Sequence, residues 1–290
     1  MKLKLQKNIA YMVIGSLMFA CLGALIKAVP HGLPNQELVF LRNMFALFII
    51  TPFFIINPSK VEGVRVRRLY FLKVVSGLLA MYCYYYTLTE VSLVQAVLLN
   101  NTSPLFIPLI AMLLLGERLS KLRLLYLCGG FVGIALIVAE AGSFSINHGV
   151  FIGLLSGFFL AISSVSVSAL SERGEPIALL FYFMLITTLC SLVLIDNTWF
   201  FPSDHQMFIL LLAGLVTVVG SYFSVRALLA ESANVLAALQ FLTVPFSLIL
   251  GIVFWDEVAT MQFFIGAILI FIFAYLNTKE GAVKRGVSHD

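Results

Sequence analysis

Apolar segments long enough to cross a lipid bilayer follow one another along almost the whole chain. A helix needs about 20 residues to span the hydrocarbon core, because each residue adds roughly 1.5 Å. Ten such windows are predicted, at residues 8–28, 35–56, 69–89, 92–115, 122–140, 148–170, 176–195, 206–228, 232–255 and 260–277. The connections between them are too short for a soluble domain. The sequence therefore predicts an all-α polytopic membrane protein with ten transmembrane helices.

The composition agrees with a membrane protein and argues against other classes. Of the 290 residues, 61% are apolar and 11% are charged, which is far from the averages for soluble domains. The first window is too long for the apolar core of a signal peptide, so we interpret it as the first transmembrane helix. The four cysteines have no CxxC spacing, and we expect neither a disulfide framework nor a metal site nor a cofactor.

Basic residues are concentrated in alternate connections between the predicted helices. They lie before helix 1, around the loop between helices 2 and 3, after helices 4 and 6, at the end of helix 8, and in the tail. Lys73 is counted with the loop between helices 2 and 3. By the positive-inside rule, this alternation predicts that both termini are cytoplasmic. The net charge of +4 then marks the cytoplasmic face of a membrane protein, and we expect no nucleic-acid partner.

Two segments of the chain share one interrupted pattern. Residues 91–117 and 231–257 are apolar runs in which polar residues are followed by proline, and aligning the two runs places Thr102 on Thr243 and Pro104 on Pro245. A proline has no N–H to donate to the carbonyl four residues back, so Pro104, Pro108 and Pro245 leave backbone carbonyls free. We expect such broken helices to face protein or a water-filled cavity, because lipid offers no donors.

The duplication predicts two repeats. They comprise residues 1–142 with helices 1–5 and residues 143–277 with helices 6–10, followed by a cytoplasmic tail at residues 278–290. Because five is odd, the two halves must enter the membrane in opposite orientations. Inverted repeats with broken helices at the midplane are a recurring plan of secondary transporters. A duplicated scaffold that transports nothing is the alternative.

Three segments carry a resemblance to a known family. SPLFIPLIAMLLLGE at 103–117, TVPFSLILGIVFWDE at 243–257 and FLRNMFALFIITPFF at 40–54 resemble the EamA-type permeases of the drug/metabolite transporter superfamily. The resemblance covers essentially the whole chain, is stronger in its first half, and extends diffusely to S-adenosylmethionine permeases. It implies a bacterial inner-membrane carrier of small organic solutes that works by alternating access.

Arg42 is the sharpest candidate for a binding residue. An arginine about two turns inside an apolar helix costs several kcal/mol unless a partner or water receives it. Its guanidinium suits a carboxylate or phosphate, which favours an anionic or zwitterionic solute. A structural bond to Glu37 or to carbonyls at a helix end is the alternative.

Helix 3 carries four neighbouring tyrosines. Helical spacing places Tyr82, Tyr85 and Tyr86 on one side and turns Tyr84 away. We expect Tyr82 and Tyr85 to contact an apolar or planar part of the solute. Tyr84 is assigned to the aromatic belt at the membrane interface.

The remaining candidates lie in and beside the helix breaks. Neutral polar side chains there either bind a solute or hold helices together. We expect Gln95, Asn101, Thr102, Gln240 and Thr243 to bind substrate. The helix-break and gating candidates are Pro104, Pro108, Pro245, Glu117, Asp256 and Glu257.

The sequence therefore predicts a secondary transporter, monomeric or homodimeric, for a small polar or zwitterionic metabolite such as an amino acid or an S-adenosylmethionine-like solute. No Asp or Glu lies near the middle of a predicted helix, which favours facilitated diffusion or exchange over a carboxylate proton relay. The four histidines lie in predicted loops or the tail, no Ser/His or paired-carboxylate constellation lies at one membrane depth, and the sequence has no phosphate-binding loop, so an enzyme is not expected. A multidrug exporter of lipophilic cations is the second transport hypothesis, and an intramembrane enzyme is the weaker class.

Overall fold

The computed structural model describes most of the chain and leaves gaps mainly at the connections. The described residues are 2–29, 33–56, 58, 64–116, 120–139, 148–170, 175–195, 201–230, 239–257 and 260–287. In these ranges every regular element is an α-helix. The helices are α1 (Lys2–Lys27), α2 (Asn35–Ile56), α3 (Val64–Glu90), α4 (Leu93–Asn100), α5 (Ser103–Leu115), α6 (Lys121–Ala139), α7 (His148–Leu170), α8 (Pro176–Val193), α9 (Asp204–Ala230), α10 (Thr243–Trp255) and α11 (Met261–Val287).

Several of these helices have the length and apolarity of membrane spans. Within the described ranges there are seven such segments: Asn8–Lys27, Asn35–Ile56, Val66–Glu90, Leu93–Leu115, His148–Leu170, Pro176–Val193 and Asp204–Ala230. Thr243–Trp255 and Met261–Phe273 are shorter apolar helices. The all-helical membrane architecture is confirmed, whereas the count of ten spans stays a prediction.

Helices from the two predicted repeats interlock across the molecule. The most extensive helix contacts pair α3 with α7, α1 with α9, α6 with α11 and α2 with α8. Each pair joins one helix from residues 1–142 with one from residues 143–277. Large apolar side chains such as Phe48, Ile55 and Phe254 remain exposed on the outside, where a membrane protein meets lipid. The polar interior of the bundle is therefore built jointly by both halves.

The interrupted segments form helix breaks at equivalent places. The first break is the turn at residues 101–102 between α4 and α5, and the second is the turn at residues 241–242 before α10. Helices α5 and α10 have the same length, and each ends in a left-handed cap, Gly116 with φ 70° and Asp256 with φ 51°. The breaks predicted from the prolines are thus present in both segments.

The predicted alignment of the two segments is wrong by one position in this region. It placed Thr102 on Thr243, whereas the structure pairs the starts of the two helices, Ser103 with Thr243. Pro104 is the second residue of α5, and Pro245 is the third residue of α10. Proline fits anywhere in the first turn because the N–H groups there have no intrahelical partner. Aligning the prolines therefore did not align the helices.

Two backbone carbonyls at the first break, those of Leu99 and Asn100, are covered by helix α7. Gly157 lies so close that a Cβ there would be 2.8 Å from the Leu99 carbonyl and 3.1 Å from that of Asn100, and it would also contact the Thr102 hydroxyl. The Thr102 hydroxyl donates to the Leu99 carbonyl at 2.7 Å. The break thus faces protein, as expected for unpaired backbone groups in a membrane.

Candidate substrate cavity

A cavity inside the described bundle is lined by polar side chains from both halves of the chain. It holds about 230 Å³, enough for several water molecules or a small organic solute. Its wall includes residues of α1, α2, α3, α4, α7, α8 and α9 and the two helix breaks. The polar side chains in the wall are Ser16, Arg42, Lys73, Tyr84, Tyr85, Asn100, Asn101, Ser163, Ser164, Thr217, Ser221, Ser224, Gln240 and Thr243.

Arg42 extends from α2 into this wall and is 3% exposed. Its guanidinium donates to the Thr217 hydroxyl of α9 at 2.9 Å and contacts the Met81 sulfur of α3. The guanidinium carbon also lies 5.6 Å from the centre of the Tyr85 ring. The alternative interpretation named Glu37 or carbonyls at a helix end as structural partners, and neither is among these contacts. Arg42 is therefore held by neutral groups from two other helices.

Three buried polar atoms of wall residues make no hydrogen bond of regular geometry with a described residue. They are Arg42 Nε, the Tyr85 hydroxyl and Ser224 Oγ. The Arg42 and Tyr85 side chains interact with each other, and Ser224 Oγ lies against Gly15 of α1. Buried polar groups in proteins are almost always fully paired, so the incompletely bonded Arg42 and Tyr85 indicate room for a ligand or water.

The face of α3 that lines the cavity differs from the predicted one. Lys73, Gly77, Met81, Tyr84 and Tyr85 lie in the wall, mostly at intervals of three to four residues. Tyr84, assigned to the interfacial belt, is therefore a wall residue, and its ring centre is 6.0 Å from that of Tyr85. Four clustered tyrosines fit more than one helical face, so spacing alone did not choose between them.

Tyr82 and Tyr85, predicted to lie together in the pocket, are separated by the structure. Tyr85 lies in the cavity wall, whereas Tyr82 does not. The Tyr82 hydroxyl is buried near Ser191 without a hydrogen bond of regular geometry, and the Tyr82 carbonyl accepts from the Asn35 amide at 3.4 Å. The predicted role of Tyr82 in the pocket is thus not supported by its position.

Residues beside the two breaks meet at the cavity. Asn101, Gln240 and Thr243 all lie in its wall, as predicted. The Ser103 hydroxyl at the start of α5 donates to the Gln240 side chain at 3.3 Å, which links the two breaks directly. The Asn100 amide, also in the wall, donates to Ser156 of α7 at 3.0 Å. The breaks thus place three amide side chains around one space.

Gln95 and Thr102 lie outside this wall although they were predicted to bind substrate. Thr102 is fully buried between the break and Gly157, where its hydroxyl satisfies a backbone carbonyl. Gln95 lies in the first turn of α4, and its N–H donates to the Ser92 hydroxyl at 3.2 Å. Thr102 therefore supports the break, whereas Gln95 lies at the opposite end of α4, and neither residue lines the cavity.

Among the helix-break and gating candidates, Glu257 has the most developed contacts. Its carboxylate accepts from the N–H groups of Leu93 and Val94 at 2.7 and 3.2 Å, which caps the start of α4. Lys27 at the end of α1 donates to the same carboxylate at 2.8 Å. A carboxylate at a helix N-terminus is also stabilised by the helix dipole. Glu257 therefore ties together the ends of three helices.

The other candidates of this group have simpler positions. Pro104 and Pro108 are buried in α5, Pro245 is exposed in the first turn of α10, and Asp256 is exposed in the left-handed cap that ends α10. Glu117 lies outside the described residues.

Several wall residues were missed by the sequence analysis. Lys73, counted as part of a cytoplasmic loop, is 5% exposed inside α3 and lines the cavity. In α9 the wall residues Thr217, Ser221 and Ser224 recur at helical spacing, and this spacing was a readable signal. For Lys73 the neighbouring basic loop concealed the signal, because a lysine near a helix end ordinarily reaches water.

Comparison with models of known families identifies the family of this chain. The model of the EamA-like transporter family matches residues 6–139 and 147–279. The chain belongs to the EamA-like transporter family. This membership confirms the resemblance seen in the sequence and makes the protein a multi-pass membrane protein of a bacterial transporter family.

Relatives of this EamA-family protein carry the names of transporters. A pseudopaline exporter of Pseudomonas aeruginosa is 30% identical over 96% of this chain and 98% of its own length. A riboflavin transporter of Rhizobium johnstonii is 28% identical over 90% and 87% of the two chains. Human solute carrier family 35 member G1 is 25% identical over 90% and 75%.

A solved structure shares the fold of the whole chain. It is a crystal structure that superimposes with a TM-score of 0.64 at 15% identity, covering 96% of this chain and 97% of the other. This match shows the fold, whereas the family and the named relatives support transport of a small molecule.

Proposed function

We propose that this EamA-family protein is a secondary transporter that carries a small carboxylated metabolite, anionic or zwitterionic, across the bacterial inner membrane. The observation that carries the proposal is Arg42, a buried guanidinium in the wall of a central cavity, whose Nε makes no regular hydrogen bond with a described residue apart from its contact with the Tyr85 side chain. A guanidinium presents two parallel N–H groups that match a carboxylate. A solute carboxylate would therefore complete the hydrogen bonding that the protein leaves open.

The remaining wall suits the uncharged part of such a solute. The rings of Tyr84 and Tyr85 offer a surface for an apolar or planar group. The amides of Asn100, Asn101 and Gln240 can donate to or accept from polar groups of the solute. This combination favours a polar metabolite over a purely apolar compound.

The wall argues against the second transport hypothesis, an exporter of lipophilic cations. It contains two buried cations, Arg42 and Lys73. Charges of like sign repel strongly where the surroundings have a low dielectric constant. The same repulsion disfavours the S-adenosylmethionine-like member of the predicted solute class wherever its cationic end would face these residues.

Transport by alternating access requires closure of the cavity at each end in turn. We assign closure of one end to Lys27 and Glu257, whose ion pair joins α1 to the residue that caps α4. With both termini cytoplasmic, this end faces the outside of the cell. Facilitated diffusion or exchange between the two inverted halves remains the proposed energetics.

Uptake into proteoliposomes tests the proposal. The natural protein and Arg42→Ala would be compared with labelled amino acids, riboflavin, S-adenosylmethionine and tetraphenylphosphonium. We expect saturable uptake of a carboxylated solute in the natural protein and a loss on the order of 10- to 100-fold in Arg42→Ala, because a charge-assisted bond is removed. Arg42→Lys should keep part of the activity.

Arg226→Ala is the matched control. Arg226 is another arginine in a membrane helix, but it is exposed and donates to the Tyr222 hydroxyl at 2.6 Å outside the cavity wall. Its removal should leave uptake close to that of the natural protein. Uptake of tetraphenylphosphonium that is indifferent to Arg42→Ala would overturn the proposal and favour drug export.

A further inference from the structure

Lys73 is a second buried basic residue, and the proposed binding of a carboxylate by Arg42 does not involve it. It lies within the membrane span Val66–Glu90 and is 5% exposed. Its ammonium lies 3.4 Å from the centre of the Phe183 ring of α8. No described residue accepts a hydrogen bond from it. The ring lies close to α3 because residue 77 is glycine, where a Cβ would be 2.7 Å from the Phe183 ring.

Lys27 is a comparison for Lys73, because its contacts are those of a lysine with a structural role. Lys27 is 17% exposed on its side chain and pairs with Glu257 at 2.8 Å. Lys73 has an aromatic face instead of a carboxylate, and it does not extend to the interface as membrane lysines usually do. A cation–π contact offsets only part of the free energy that burying an ammonium costs. The structure therefore leaves this ammonium without a full counter-ion.

Lys73 and Arg42 face the same cavity at different depths. Lys73, Gly77 and Met81 lie on one face of α3, and the Met81 sulfur contacts the Arg42 guanidinium. Lys73 precedes Met81 by slightly more than two helical turns, which corresponds to about 12 Å along the axis. The cavity therefore has one positive group at the depth of Lys73 and another at the depth of Met81, where Arg42 lies. The other described residues of its wall are uncharged.

We propose that Lys73 and the Phe183 ring form a second anion-binding subsite, so that the substrate is an elongated metabolite with two acidic groups. One acid would pair with Arg42 and the other with Lys73. A dianion would make the loaded cavity electrically neutral, which favours its rearrangement inside a low-dielectric bilayer. This inference rests on the proposed function and adds the number and spacing of the charges on the solute.

Binding of a matched pair of probes tests the subsite. Nonanedioate and its monomethyl ester have the same chain and differ by one negative charge. Their dissociation constants would be measured by calorimetry on the protein in nanodiscs. We expect the diacid to bind the natural protein on the order of tenfold more tightly than the ester. This ratio needs no variant and so does not depend on a variant folding.

Variants then locate the second charge. Lys73→Met should reduce diacid binding to the level of the ester, whereas Lys73→Arg should preserve the difference. Arg42→Ala should weaken both probes. Lys73→Met should also unfold at an equal or higher temperature than the natural protein, since it removes a buried charge; a purely structural lysine would show the opposite.

The outcomes separate the two proposals. Equal binding of diacid and ester, with both dependent on Arg42, would overturn the second subsite and leave the carboxylate carrier intact. The same holds if Lys73→Met weakens both probes equally. Failure of both probes to bind in an Arg42-dependent manner would count against the proposed function itself.

Discussion

Some polar groups in the cavity wall already have hydrogen-bond partners within the protein, and others do not. The Thr217 hydroxyl accepts from Arg42 at 2.9 Å and donates to the Ala213 carbonyl at 2.7 Å. The Tyr85 hydroxyl and Arg42 Nε, by contrast, are buried and make no regular hydrogen bond with a described residue beyond the contact between their own side chains. Leaving a buried polar group unpaired costs about 1–3 kcal/mol. Groups of the second kind are therefore the ones that a bound solute can satisfy.

A pair of tyrosines tests this distinction. Tyr82 and Tyr85 both have buried hydroxyls without a regular hydrogen bond, Tyr82 lying near Ser191 and Tyr85 near Arg42, but only Tyr85 lies in the cavity wall. We expect Tyr85→Phe to raise the KM for the carboxylated solute by about three- to tenfold, because it removes one hydrogen bond and keeps the ring beside Arg42. Tyr82→Phe is the matched control and should leave KM unchanged in the proteoliposome assay. Equal effects from the two variants would contradict the placement of the site.

At the scale of helices, the breaks depend on neighbours that come unusually close. The turn at residues 101–102 leaves carbonyls free, and Gly157 lets the backbone of α7 cover them. The start of α4 is likewise closed by a carboxylate that follows α10. Broken helices in a membrane are thus stabilised by contacts from distant parts of the chain.

Gly157→Ala should destabilise the protein by about 1–3 kcal/mol, the usual cost of forcing extra volume into a packed interior. A Cβ at this position would be 2.8 Å from the Leu99 carbonyl, and backbone cannot move aside as a flexible side chain can. Thermal unfolding in detergent measures the change. The matched control is Phe151→Ala on the same helix, at a side chain that is 56% exposed to the membrane. If both variants unfold at the same temperature as the natural protein, the backbone of α7 is not tightly packed against the break at Gly157.

The contact between Lys27 and Glu257 is expected to contribute as a pair. Both side chains are largely buried, at 17% and 12% exposure. We expect a coupling free energy of about 1–3 kcal/mol, between the values for exposed and fully buried ion pairs. A double-mutant cycle of Lys27→Met and Glu257→Gln measures it through the free energy of unfolding. A coupling below about 0.5 kcal/mol would mean that the two residues act independently.

At the scale of the molecule, the two halves use equivalent local signals. Ser120 accepts from the N–H of Arg123 at 3.2 Å before α6, and Thr260 accepts from the N–H of Phe263 at 3.2 Å before α11. The alignment that pairs the first residues of α5 and α10 also pairs these two caps. In the two repeats α1 corresponds to α7 and α3 corresponds to α9. Exchanging the halves therefore turns the contact of α3 with α7 into the contact of α9 with α1.

The equivalent caps offer a direct test of inverted topology. In a chain without its natural cysteines, Ser120→Cys and Thr260→Cys would each be labelled with a membrane-impermeant maleimide on intact cells and on inverted vesicles. We expect Ser120→Cys to react from the cytoplasmic side and Thr260→Cys from the outer side, because the basic residues lie near Ser120 and not near Thr260. Reaction of both from one side would rule out inverted repeats.

Properties that depend on local chemistry were predictable from the sequence. Runs of about 20 apolar residues become helices in a membrane because each backbone group is then paired within its own segment. The polar residues and prolines that interrupt two of these runs mark breaks in the structure as well. Arg42 was recognisable for the same kind of reason, because a charge amid apolar residues needs a local explanation wherever it lies.

Only the tertiary structure decided which of these features meet. Arg42 reaches Thr217 across 175 residues of chain, and Glu257 caps Leu93 across 164. Helical periodicity gives the angles between side chains but not the direction of the neighbouring helix, so it did not show that Tyr84 lies in the cavity wall and Tyr82 outside it. Lys73 lies in the cavity wall, where its ammonium contacts the Phe183 ring of α8. The sequence alone determined the helices and their breaks, and the packing of helices distant in sequence determined the site.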